Sequence, residues 1–136
     1  MSLAPGRCFR SRCAGALLVL PLLAKLRFDS LVAQAGYPGS EMIPAVSALL
    51  GLLLLKLLDK ERRSHVNDFN FDEALGLFAG LNVLPKKSFL TAYSHRTPRH
   101  HQRALLAGWV GALSGLLFEQ ANPDCAPRGD KVSLTR

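Results

Sequence analysis

Residues that favour β-strands are scarce in this sequence. Aromatic residues make up 7% of the 136 residues, and Leu and Ala far outnumber Val, Ile and Thr. Leu and Ala are strong helix formers, whereas β-branched and aromatic residues favour strands. The length suits one domain with a modest core. We therefore expect an all-α protein, a small bundle of about five to six helices.

Acidic residues are missing between Glu73 and Glu119, in a chain whose net charge is +7. The cations within this gap are Lys86, Lys87, Arg96, Arg99 and Arg103, with His95, His100 and His101 beside them. A patch of one sign attracts polyanions such as nucleic acid or anionic lipid. The alternative is a solvated helix face, which accounts for many charge runs.

Paired cysteines are also lacking. The chain has three cysteines, Cys8, Cys13 and Cys125. An odd number without a paired framework favours reduced thiols and a cytoplasmic location. No second pair of Cys or His residues completes a zinc site, and the adjacent His100 and His101 should point to different faces of a helix. We therefore expect no metal and no cofactor.

Catalytic motifs are absent as well. The sequence contains no phosphate-binding loop, no dinucleotide-binding glycine pattern, no zinc-hydrolase motif and no nucleophile elbow. We therefore expect that the chain is not an enzyme as it stands.

Hydrophobic runs of bilayer length are missing. A membrane-spanning helix needs about 20 apolar residues, and the runs at residues 14–24, 42–58 and 104–118 are all shorter. The run at 42–58 leaves open an alternative function, that of a small membrane-associated helical protein anchored by this segment. The basic start followed by residues 14–24 resembles a secretory signal, but Lys25, Arg27 and Asp29 interrupt the pattern.

Turn and cap residues divide the chain into three parts: a flexible basic arm over residues 1–13, a helical domain over 14–118 and a disordered tail over 119–136. Within the domain, the pattern predicts helices over 14–28, from Asp29 or Ser30 to 35, and over 43–63, the longest, with a connector over 64–71.

The second half of the domain has clear start signals. Asp72 is expected to cap a helix that ends before Gly80, and the next helix begins at Lys86 or Lys87. Thr97 and Pro98 predict the N-cap and first turn of a last helix that ends at residue 118.

Residues 72–96 thus read as helix, turn and helix, a shape that helix-turn-helix proteins use to place their second helix in the major groove of DNA. Phe89, Leu90 and Tyr93 are expected to pack inward. The polar residues would then meet phosphates or base edges, and the candidate DNA-binding residues are Lys86, Lys87, Ser88, Thr91, His95, Arg96, Arg99 and Arg103.

The run from Asp72 to Thr91, with GLFAGLNVLPKKSFLT at its centre, resembles the N-terminal region of bacterial insertion-sequence transposases. The similarity continues through Tyr93, Ser94 and the basic residues 96–103. Residues 36–39 and 57–65 are similar as well, so the resemblance covers residues 15–118.

The resemblance implies a helical N-terminal domain followed by an RNase-H-like catalytic domain, in which carboxylates hold two divalent metals. Because the chain stops at Arg136, we expect a truncated transposase fragment of a mobile element that is catalytically inactive alone. Its expected role is DNA binding in transposition and DNA recombination. The implied partners are double-stranded DNA and the missing catalytic domain or a full-length transposase, with a membrane as the alternative.

Overall fold

The computed structural model describes residue 11, residues 13–69 and residues 72–121, without the side chains of 119–121. Within this part of the chain every regular element is helical, which confirms the predicted all-α class. Two short 3₁₀ helices span Ala14–Val19 and Arg63–Phe69. The α-helices are α1 (Leu20–Lys25), α2 (Phe28–Gln34), α3 (Ala45–Leu57), α4 (Glu73–Phe78), α5 (Lys87–Arg96) and α6 (Arg99–Ala121).

Helix α3 lies at the centre of the bundle. It packs against α2, α4, α5 and the second 3₁₀ helix. Ala48, Leu54 and Leu55 are buried on it, which agrees with a helix that is apolar on several sides. The rest of the core comes from the elements around α3, with Val32, Val66, Leu75, Phe78 and Leu90 almost fully buried.

Two residues with a positive φ end helices earlier than the sequence predicted. Arg27 (φ 50°) separates α1 from α2, so α1 ends at Lys25 rather than at residue 28. The first part of that predicted helix, Ala14–Val19, is a 3₁₀ helix. Asp59 (φ 55°) follows α3, and the backbone N–H of Lys60 donates to the carbonyl of Leu55 at 2.8 Å. This left-handed cap ends α3 at Leu57, well before the predicted end at residue 63.

The segment predicted as a connector over 64–71 instead contains the second 3₁₀ helix, where Val66 is buried in the core. The carboxylate of Asp72 then accepts a hydrogen bond from the N–H of Leu75 at 3.3 Å, so the predicted N-cap of α4 is confirmed. Gly80 adopts a φ of 69° after α4. The N–H of Leu81 donates to the carbonyl of Gly76 there, which closes the helix end as a glycine cap does.

Helix α6 is the longest helix of the bundle and packs mainly on α2. Trp109 meets Phe28 edge to face, with ring centroids 5.5 Å apart, and is partly buried against the core. Thr97 is buried, and its hydroxyl donates to the carbonyl of Tyr93 at 3.1 Å at the end of α5. The prediction that Thr97 would cap the start of α6 is therefore wrong, because α6 begins at Arg99 and the hydrogen bonds of the Thr97 side chain go to carbonyls at the end of α5.

The helical domain extends past residue 118, since α6 continues to Ala121. Most of the predicted arm and the tail from residue 122 lie outside the described residues. In the described part, none of the helices combines the length and the apolar character that crossing a membrane requires.

Candidate functional site

Helix α5 presents one face to the core and another to solvent. Leu90 and Tyr93 are buried, and Phe89 is half-buried against the core, so the predicted inward face is confirmed. The supporting elements are α3 and the second 3₁₀ helix. This packing fixes the orientation of the polar side chains on the opposite face of α5.

The relation between α4 and α5 differs from a helix-turn-helix unit. Residues 79–86 separate the two helices, which is longer than the usual turn of about three to four residues. Helix α4 packs on the first 3₁₀ helix and on α3, rather than mainly on α5. The packing support of α5 therefore comes from α3 and the second 3₁₀ helix rather than from α4.

The five lysines and arginines of the candidate DNA-binding set are all exposed. They lie at the N-cap and ends of α5 and in the first turns of α6, which begins directly after Thr97 and Pro98. We call Lys86, Lys87, Arg96, Arg99 and Arg103 the basic surface. Because no acidic residue occurs between positions 73 and 119, no neighbour along the chain neutralises it.

The uncharged candidates divide between two surfaces. Ser88 and His95 are exposed and lie seven residues apart on α5, which places them on the same face. Thr91 is half-buried and lines a cleft beside α5, together with Lys87 and Ser94. Ser88 and His95 are therefore exposed on the helix that carries Lys87 and Arg96, whereas Thr91 is part of the cleft wall.

Tyr93 supports this region from inside. Its ring stacks on Phe89 with centroids 5.7 Å apart, and the guanidinium carbon of Arg96 lies 5.9 Å from the ring centroid. Its hydroxyl is buried without a hydrogen-bond partner among the described residues. Burial is the main cause that raises the pKa of Tyr93 above its usual value of 10.0, and the nearby Tyr37 adds to this effect.

We expect Tyr93→Phe to raise the free energy of unfolding at neutral pH by about 1 kcal/mol, because it removes a buried hydroxyl that lacks a partner. Above pH 10 the wild type should lose stability as pH rises, since the unfolded chain ionises Tyr93 before the folded chain does. The Tyr93→Phe variant should lose less stability over the same pH range. Urea unfolding at pH 7 and above pH 10 tests this, and a variant less stable than wild type at both pH values would contradict it.

Histidine and tyrosine rings attach the start of α6 to the end of α2. The Nδ1–H of His101 donates to the carbonyl of Ala35 at 2.7 Å, and its ring lies 5.4 Å from that of Tyr37. The rings of His100 and His101 are 4.0 Å apart, so the expectation that they point to different faces is wrong. The described residues contain no group of three or more ligands that could hold a metal ion.

A cleft of about 710 Å³ adjoins the basic surface. Lys87, Thr91 and Ser94 form one wall, and Gln102, Leu105 and Trp109 of α6 also line it. The rest of its rim carries cations from the end of α3 and the turn that follows, namely Lys56, Lys60, Arg62 and Arg63.

Sequence reasoning missed the cations of the cleft rim. It placed residues 59–63 at the end of the helix predicted over 43–63, with no relation to Lys87. The only sequence signal was the density of cations from Lys56 to Arg63. Their approach to α5 depends on the tertiary packing of the second 3₁₀ helix against α5, which no local pattern shows.

No known protein family matches the chain. Neither the curated proteins nor the solved structures contain a match.

Proposed function

We propose that the chain binds double-stranded DNA in transposition, with the basic surface as its contact to the phosphate backbone. The observation that supports this most directly is the exposure of all five cations on two consecutive helices, in a stretch free of acidic residues. Contacts to phosphates supply most of the affinity for nonspecific DNA binding. Our reason for proposing DNA rather than another polyanion is the resemblance to transposase N-terminal regions that the sequence alone suggested for residues 15–118.

The mode of binding that we propose is contact with the backbone rather than insertion of a recognition helix. A recognition helix is oriented in the major groove by a tight turn before it and by the preceding helix packed against it. The segment between α4 and α5 is longer than such a turn, and α4 packs mainly on other elements. Ser88 and His95, exposed beside the cations, add hydrogen-bond donors for phosphate oxygens. Binding of this kind positions a protein on the duplex and discriminates little between sequences.

The proposal assigns binding, and no catalytic step, to this chain. Asp59 follows the end of α3, Glu61 lines the cleft among cations, and Asp72 caps α4. These three carboxylates therefore lie in three different local environments. Catalysis would come from a full-length transposase or its catalytic domain, acting on DNA in the cytoplasm.

Lysine protection tests the proposed contact surface directly. We expect duplex DNA to protect Lys86 and Lys87 from an amine-acetylating reagent, because their ammonium groups would face phosphates. Lys25 and Lys56 are also exposed but lie outside the basic surface, so they should remain reactive and serve as internal controls. Mass spectrometry of the acetylated chain reads all four sites at once. Equal reactivity of Lys86 and Lys87 with and without DNA would overturn the assignment.

A further inference from the structure

The cleft beside α5 has an apolar floor that phosphate binding does not use. The floor residues come from α2, α3 and α6, and they are Phe28, Leu49, Leu52, Leu53, Leu105 and Trp109. The volume of about 710 Å³ lies within the range of about 300–1,000 Å³ that is usual for ligand-binding pockets. Floor residues such as Leu49, Leu52 and Leu53 remain only partly buried in the folded chain. The cleft can therefore accept apolar groups from a partner.

Charge at the rim restricts which partner fits. The cations that line the cleft are Lys56, Lys60, Arg62 and Arg63 from the end of α3 and the turn after it, and Lys87 from α5. Glu61 is the one acidic residue among its described lining residues. A concave surface walled by one sign of charge focuses its field and attracts the opposite charge. A partner for this cleft thus needs an apolar face flanked by carboxylates.

We propose that the cleft binds an acidic amphipathic helix of a partner protein. Such a helix presents apolar side chains at positions i, i+3 or i+4 and i+7 to a groove between helices, and its flanking residues meet the rim. Asp and Glu in the flanks complement the rim cations, which determines partner choice and association rate. Duplex DNA also carries negative charge, but it has no apolar side chains to cover Leu52, Leu53 and Trp109. This inference rests on the cleft and does not require the DNA-binding proposal.

Trp109 makes the cleft measurable, because it is the single tryptophan of the chain and lies on the cleft floor. The probe is a synthetic amphipathic helical peptide without tryptophan, with Leu at the spacing of one helix face and Glu at the flanking positions. We expect a saturable blue shift of Trp109 emission when the peptide is added to the full chain. A peptide with Lys in place of Glu should bind at least about 10-fold more weakly, because its lysines would meet the rim cations and like charges repel.

Two variants with the same change in net charge locate the site. Arg62→Glu with Arg63→Glu reverses two charges at the rim and should weaken binding of the acidic peptide by about 10-fold. Arg99→Glu with Arg103→Glu alters residues outside the cleft, so peptide affinity should change by less than about 3-fold while duplex DNA binding falls. Because all four arginines are exposed, circular dichroism should show wild-type helix content in both variants. Lys60→Glu with Lys87→Glu gives a second rim pair if the first loses helix content.

The proposal fails if the acidic peptide leaves Trp109 emission unchanged, if the lysine peptide binds equally well, or if folded rim variants retain wild-type affinity. It also fails if duplex DNA causes the same emission shift and the acidic peptide competes with it, because the cleft would then belong to nucleic acid. If the variant Arg99→Glu with Arg103→Glu no longer binds DNA but still binds the peptide, the result would support two separate surfaces.

Discussion

Duplex DNA should lose its affinity for a variant in which Lys87, Arg99 and Arg103 are all replaced by Glu. Each reversal turns an attraction to phosphate into a repulsion, at a cost of about 1 kcal/mol for an exposed charge. Together the three changes should weaken binding by at least about 100-fold, since about 1.4 kcal/mol corresponds to a tenfold change. Gel retardation and fluorescence anisotropy with a labelled duplex measure the loss.

The matched control for this triple variant reverses Lys25, Arg27 and Lys56, which are exposed but lie outside the basic surface. Both variants have the same net charge, so any difference between them reports the position of the charges. We expect the control to lose much less affinity than the triple variant, through the weaker overall field. Equal losses in the two variants would show that net charge alone drives binding and would refute the assignment of the surface.

Gly76→Ala should destabilise the fold by roughly 1–3 kcal/mol. A Cβ at position 76 would lie 2.9 Å from the carbonyl oxygen of Asn82 and 3.0 Å from that of Leu81. Both atoms belong to the backbone of the turn that follows α4, so no side chain can rotate away. The clash outweighs the gain of up to about 1 kcal/mol that Ala normally brings to a helix interior.

The same substitution at Gly115 is the control for Gly76. Nothing lies within 4 Å of a Cβ built at Gly115, so Gly115→Ala should stabilise α6 by about 0.5–1 kcal/mol. The two variants are therefore expected to shift the urea midpoint in opposite directions. A Gly76→Ala variant as stable as the wild type would mean that α4 and residues 81–82 are not packed as described.

Local patterns predicted much of the helical structure. Asp72 was identified as a cap because its carboxylate is followed by residues that form a helical turn, and the structure shows the bond to Leu75. The inward positions of Leu90 and Tyr93 followed from the spacing of apolar residues on α5. In each case the information lies within one or two helical turns of the chain.

Other features depend on conformations or contacts that the sequence does not encode locally. Arg27 and Asp59 adopt positive φ values although neither is glycine, so the sequence placed the ends of α1 and α3 too late in the chain. Thr97 is a good N-cap residue by type, yet its burial directs the hydroxyl to Tyr93.

The candidate site likewise combines residues that are close in sequence with residues that are not. The cations of the basic surface lie within one short stretch of the chain, so charge alone identifies them. Arg62, Arg63 and Lys87 are distant in sequence and line one cleft only because the second 3₁₀ helix packs against α5. Tertiary contacts of this kind cannot be derived from helix periodicity.

The salt dependence of duplex binding by the wild-type chain tests the basic surface most directly. Each phosphate that a cation neutralises contributes about −0.9 to the slope of log affinity against log salt concentration. Contacts by Lys86, Lys87, Arg96, Arg99 and Arg103 predict a slope of roughly −4.5. A slope near zero, or no duplex binding at low salt, would contradict a surface of exposed cations that meets the DNA backbone.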